Sequence, residues 1–146
     1  MNIYLICTGN TCRSPMAEAI LRSKNIPGIS VRSAGLHAAD GFPISIHSET
    51  LIQEMDMPYT AHSRAISRED VEWADLILTM TEGHKQAVLH RFPEADGKLF
   101  TLKEYTKPEG DLDVQDPFGG NLLVYRETYE ELTVYMDLLE KKLTEE

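Results

Sequence analysis

Cysteine is scarce in this chain of 146 residues: Cys7 and Cys12 are the whole supply. So few thiols exclude a disulfide-stapled secreted scaffold. Their spacing is not the CxxC of zinc or thioredoxin-type sites, and the histidines, His37, His47, His62, His84 and His90, show no ligand spacing. Neither a metal site nor a cofactor is expected. Long apolar runs are also missing. The first, Ile3 to Cys7, is short and has no basic segment ahead of it, so neither a signal peptide nor a spanning helix is expected, and the reading is cytoplasmic. Positive charge is in short supply too, with 14 Lys and Arg against 24 Asp and Glu, a net charge of -10. That balance argues against nucleic acid or an anionic membrane surface as a partner. Any anionic substrate must be held by local groups, against the field of the whole protein.

What is present is a 42% hydrophobic content, enough for one well-buried core and one domain spanning residues 1–146. No repeat, linker or low-complexity segment interrupts it. Short apolar runs alternate with helical patterns. Strands are predicted at Ile3 to Ile6, Ile29 to Arg32, Leu76 to Met80 and Lys98 to Leu102. Helices are predicted from Ser14, from Pro43 to Met55, from a capped start at Ser67, Asp70 and Val71, and over Thr81 to Arg91. In the last helix Leu122, Tyr125, Tyr129, Leu132, Met136, Leu139 and Leu143 recur at spacings of three and four, which marks one buried stripe. Strict alternation predicts an α/β, doubly wound fold: a four-stranded parallel sheet with helices on both faces. The long irregular stretches, Ala34 to Phe42 and Lys103 to Gly120, should lie with the first loop beyond the carboxyl ends of the strands, where such sheets bind ligands.

That first loop, Cys7-Thr-Gly-Asn-Thr-Cys-Arg13-Ser14, joins a strand to a helix, with Ser14 expected as the N-cap and Pro15 at the first helical position. Its backbone N–H groups and the helix N-terminus make an anion cradle. The Walker pattern GxxxxGK[ST] is absent; the cation here is Arg13, whose planar fork can hold two phosphate oxygens at once. A phosphate cradle needs no cysteine at its base, so Cys7 reads as a nucleophile. The thiolate is the reactive form of cysteine, and a helix N-terminus, a cation and a hydroxyl such as that of Ser14 all favour it. Cys12 has two readings, a small residue filling space behind the loop or a resolving thiol that captures oxidised Cys7 as a disulfide.

The motif C-x5-R-S directly after the first strand, within CTGNTCRSPMAEA, resembles the low-molecular-weight protein tyrosine phosphatase family. VRSAG after the second strand, ADLILTM for the third and QDPFGG before the last helix extend the resemblance along the chain. It implies a phosphorylated protein substrate, a phospho-cysteine intermediate on Cys7, phosphoryl binding by Thr8, Gly9, Asn10, Thr11, Cys12 and Arg13, and Ser14 as thiolate partner. Asp116 becomes the general acid and base, with Asp111 and Asp113 as rivals nearby. Asn10 would hold the loop shape, braced by Ser33 and His62. Within the family, CTGNTCRS with DPFGG and FTLKEY is most similar to the bacterial protein-arginine phosphatases. Thr11 stands where tyrosine-specific members have isoleucine, and Phe118-Gly119-Gly120 replaces an aromatic pair. A small polar wall suits a slim guanidinium, Phe118 could stack on its plane, and Asp116 could pair with it. A phosphotyrosine phosphatase is the alternative, with a non-hydrolytic phosphoryl carrier or a phosphate-binding module further off. Arsenate reduction is discounted because no cysteine beyond Cys12 could pass a disulfide outward. Nothing in the pattern sets an oligomeric state.

Overall fold

In the computed structural model, which describes residues 1–145, four strands form one sheet: β1 (Asn2–Cys7), β2 (Ser30–Gly35), β3 (Leu76–Thr79) and β4 (Leu99–Thr101). Their order is β2-β1-β3-β4 and every pairing is parallel. The chain leaves β1 for β2 on one side and later returns to β3 on the other, so the order reverses beside β1. Ligands of doubly wound sheets bind at such a reversal, beyond the carboxyl end of the strand. Cys7 ends β1 there.

The helices are α1 (Arg13–Ser23), α2 (Ile46–Glu54), α3 (Arg68–Trp73), α4 (Glu82–Arg91), α5 (Leu102–Thr106) and α6 (Leu122–Thr144). The two-residue period of β1 divides the core between the faces of the sheet. Ile3, Leu5 and Cys7 point to the side covered by α1, α2, α5 and α6, where Met16, Leu51, Leu132 and Met136 pack; Tyr4 and Ile6 point to the side of Val71 in α3 and Val88 in α4. The doubly wound expectation holds. In α6 the buried stripe runs through Tyr125, Thr128, Leu132, Met136 and Leu139, so Thr128 takes the full burial expected of Tyr129.

Outside the first loop, three boundaries differ from the sequence reading by more than a single residue. β2 runs on to Gly35 instead of stopping at Arg32, because its pairing with β1 continues through Cys7↔Gly35. That pairing brings the strand hard against the first loop: a Cβ at Gly35 would sit 2.6 Å from the Thr8 carbonyl oxygen and 2.8 Å from the Asn10 nitrogen. Glycine alone fits there. α2 begins at Ile46, not Pro43. Ser45 caps it by accepting from the Ser48 N–H, while Pro43 pairs in extended form with His62. The stretch expected to be irregular from Lys103 opens instead with α5, nucleated by a reciprocal capping box between Thr101 and Glu104.

Candidate active site

Between β1 and α1 the chain wraps around the Cys7 sulfur. Ser14 Oγ lies 2.9 Å from Sγ, and the Asn10 backbone N–H donates to it at 3.3 Å. Asn10 holds a left-handed backbone, φ 55°, and its buried amide fixes the turn from three directions. Nδ2 donates to Ser14 Oγ at 2.8 Å and to Ser33 Oγ at 2.9 Å, and Oδ1 accepts from the Arg64 N–H at 2.8 Å. Ser33 in turn donates to Glu18 Oε1 at 2.5 Å. Because Ser14 Oγ accepts from Asn10, its own hydrogen is left to donate to the Cys7 sulfur.

Ser14 is not the N-cap. α1 starts at Arg13, two residues before the expected first position at Pro15, with Cys12 in the cap position and no side-chain capping bond. The displacement has a physical reason: the Ser14 hydroxyl serves the sulfur, and the uncapped first turn leaves its N–H groups and positive dipole for an anion. Arg13 is buried and crosses the mouth. One Nη donates to the Val114 carbonyl at 3.1 Å; the other lies 3.5 Å from Thr8 Oγ1 and 3.6 Å from Asp116 Oδ2.

A cavity of about 220 Å³ opens over the sulfur, lined by Cys7, Thr8, Gly9, Thr11, Cys12, Arg13, Asp116 and Phe118. Every residue expected to touch substrate is there except Asn10, whose side chain lies behind the loop as its brace. The rival carboxylates point elsewhere. Asp113 Oδ1 accepts from the Glu82 N–H at the start of α4, and Asp111 Oδ1 accepts from the Asp113 N–H. Asp116 is held as an acceptor from the Phe118 N–H, with its side chain 54% exposed to the mouth. Cys12 Sγ lies 3.2 Å from the Tyr125 hydroxyl, and burial together with that contact pushes the phenol up to about 12. Cys12 is buried behind the loop and lines the cavity with Cys7.

Ser33 braces the loop as expected. His62 does not: its side chain is exposed and lines a separate cavity with Asp40, Ser63 and Arg64. Two participants escaped the sequence reading. Glu18, one helical turn after Ser14, ends the hydrogen-bonded chain from Asn10 through Ser33, and its i+4 spacing was a usable signal. His84, whose Nε2 lies 2.8 Å from Thr8 Oγ1, carried none beyond following the third strand. Among the described residues, no three histidine, cysteine, aspartate or glutamate side chains converge as a metal site requires, and no helix is long and apolar enough to cross a membrane.

The sheet, the cysteine at the end of β1 and the arginine at the start of α1 define a cysteine-dependent phosphatase of the low-molecular-weight type. The chain belongs to the family described as low molecular weight phosphotyrosine protein phosphatase, whose profile matches residues 2–146. It is similar to a protein-arginine-phosphatase of Geobacillus stearothermophilus, 44% identical over 99% of this chain and 97% of that one. It is also similar to the low molecular weight protein-tyrosine-phosphatase PtpB of Staphylococcus epidermidis, 41% identical over 97% and 96% of the two chains. Among solved structures it matches a YwlE arginine phosphatase, a C7S mutant with a phosphorylated active-site serine, at a TM-score of 0.94 and 38% identity, covering 100% of this chain and 97% of that one.

Proposed function

We propose that this protein is a protein-arginine phosphatase that prefers phosphoarginine to phosphotyrosine. The observation that carries the preference is Thr11, a small polar residue on the wall of the 220 Å³ cavity, which it lines together with the exposed carboxyl group of Asp116. A guanidinium brings N–H donors for both, whereas a phenyl ring would gain little from either.

In the first step the Cys7 thiolate attacks phosphorus and the phosphorus–nitrogen bond breaks. The phosphoryl group passes to sulfur while Asp116, as the acid, gives its proton to the departing guanidine nitrogen. Arg13 and the loop N–H groups hold the equatorial oxygens as charge spreads over them. In the second step Asp116, now a carboxylate, takes a proton from water as the water oxygen attacks phosphorus. Inorganic phosphate leaves and the thiolate returns, eased by the Ser14 hydroxyl. Apart from the substrate and the attacking water, every group in this sequence is a side chain or N–H of the chain itself.

Phosphotyrosine hydrolysis is the second reading, and Phe118, 80% exposed at the mouth, is the observation that favours it. Relatives at similar identity carry both names, so ancestry does not divide the two. Matched peptides bearing phosphoarginine or phosphotyrosine, assayed under the same conditions, do. The expected result is a higher kcat/KM for phosphoarginine; parity, or a preference for phosphotyrosine, overturns the assignment.

A further inference from the structure

His84 stands beside the phosphate loop without a part in that chemistry. It lies in the first turn of α4, 8% exposed, and its Nδ1 is buried without a hydrogen-bond partner among the described residues. Nε2 meets Thr8 Oγ1 at 2.8 Å, and the same oxygen accepts from Arg13 at 3.5 Å. Burial, reinforced by the Arg13 charge, lowers the imidazole pKa to about 4, so the ring is neutral above that. Asp113 and Asp116 oppose the shift and His37 adds to it. Lys103, Asp111 and Glu131 are the other charged groups around the adjoining cavity.

A neutral imidazole carries one N–H. On Nδ1 that hydrogen would be a buried donor with no acceptor; on Nε2 it leaves only an unpaired acceptor at Nδ1, and folded proteins bury orphan donors more rarely than orphan acceptors. Nε2–H therefore donates to Thr8. A hydroxyl oxygen accepts two hydrogen bonds and donates one. With His84 and Arg13 occupying both acceptor positions, the Thr8 hydrogen must point away from them. Thr8 lines the cavity that holds Cys7 and Asp116.

We propose that His84 is a positioning residue which, with Arg13, turns the Thr8 hydroxyl into a dedicated donor to a phosphoryl oxygen of bound substrate. The proposal rests on the loop being a phosphoryl site and is indifferent to which phosphoamino acid enters. It adds one side-chain donor to the backbone N–H groups of the cradle, and it explains why a neutral histidine is buried at that place with one nitrogen idle.

The test is a small set of variants assayed with a phosphoarginine peptide and an activated aryl phosphate. Thr8→Val removes the hydroxyl at nearly constant shape. His84→Phe removes the ring donor, and His84→Gln keeps an N–H near Nε2. Thr8→Val and His84→Phe should each lower kcat/KM for both substrates by roughly 10–100-fold, as for loss of a hydrogen bond to a charged group. The double variant should be no worse than either single one, since both remove the same donor. His84→Gln should recover most of the loss. Nitrogen-15 NMR of the wild-type ring should place its hydrogen on Nε2. Additive losses, a Thr8→Val enzyme within about two-fold of wild type, or a hydrogen on Nδ1 would overturn the proposal. If His84→Phe does not fold, Thr8→Val and the NMR measurement decide. If wild-type protein turns over no phosphate compound at all, the phosphatase reading fails separately, and the tautomer still tests the positioning.

Discussion

The phosphate loop and the loop carrying Asp116 meet over Cys7, and they are held by different means. In the phosphate loop Asn10, Cys12, Arg13 and Ser14 are buried, and Asn10 alone ties the turn to α1, β2 and the segment at Arg64. The acid loop is exposed at Lys107 through Asp111, Asp113, Gln115 and Asp116, and turns inward at Val114 and at Pro117. The Val114 N–H donates to Met80 and its carbonyl accepts from Arg13. Arg13 thus reports the position of one loop to the other. A site that must stabilise a pentavalent phosphorus needs its donors fixed in advance, because reorganising them during the reaction costs part of the catalysis. Under the proposed mechanism the acid has a looser task. It must reach a leaving atom whose position changes with the substrate, and a loop buried at Val114 and Pro117 but open between them leaves the Asp116 side chain exposed for that.

The comparison breaks first, and hardest, at Cys7. Cys7→Ser should abolish multiple turnover, because a serine hydroxyl does not ionise in this setting and makes a poor nucleophile. The fold should survive, since oxygen replaces sulfur without loss of the Ser14 and Asn10 contacts. Steady-state kinetics beside a thermal melt check both halves. Turnover near wild type would remove Cys7 from the chemistry.

In the acid loop the expected effect is large but depends on substrate. Asp116→Asn should slow hydrolysis of a substrate with a poor leaving group by roughly 10²–10⁴-fold, and an activated aryl phosphate less. Stability should change by under ~0.5 kcal/mol, because the position is exposed and asparagine keeps an oxygen to accept from the Phe118 N–H. Asp113→Asn should show the reverse balance: little effect on either substrate and a modest loss of stability, because that carboxylate caps α4. If the leaving-group dependence follows Asp113 instead, the assignment of the acid is wrong.

Asn10→Ala sharpens the comparison from the other side, for it touches no reacting atom. The Arg64 N–H and the Ser33 and Ser14 hydroxyls lose their common partner, and a left-handed backbone position is left to a residue that avoids it. The expected cost in stability is about 1–3 kcal/mol for a buried polar group left unsatisfied. Activity should fall by about 10²-fold through displacement of the loop. Calorimetry and kcat/KM should move together here, whereas in Asp116→Asn they should not.

The two loops also differ in how much of them the sequence made legible. Cys7, Arg13 and the glycine between them sit within one short run, so strand, turn and helix could be read locally, and alternation of apolar runs predicted the sheet. The Asn10–Ser33–Glu18 chain joins α1, the loop and β2, and only the register Cys7↔Gly35 brings them together. Ser33 entered through resemblance and Glu18 not at all. The N-cap was misplaced because capping rules assume that a helix end wants a side-chain acceptor; here the uncapped end borders the cavity that holds Cys7. His62 carried a histidine's chemical promise but faces solvent. In the acid loop the Asp-Pro pair was readable, yet choosing among Asp111, Asp113 and Asp116 needed the N-terminus of α4, to which Asp113 is committed.

The finest test concerns Thr11, where the rigid loop meets the specificity question. Its carbonyl accepts from the Ser45 N–H at 2.9 Å, so its backbone is pinned, and its side chain forms cavity wall beside Phe118 and Asp116. Thr11→Ile keeps the branched shape, removes the hydroxyl and adds apolar bulk. A guanidinium should lose a hydrogen-bonding wall and be crowded, while a phenyl ring should gain contact. Cys7, Arg13 and the backbone donors are unchanged, so the chemical step should persist with either substrate. The ratio of kcat/KM values should shift toward phosphotyrosine by roughly 10–200-fold, the range open to a change of one pocket contact. An equal loss on both substrates would mean that Thr11 shapes the phosphate loop, and specificity would then have to be sought elsewhere on the cavity wall, at Phe118.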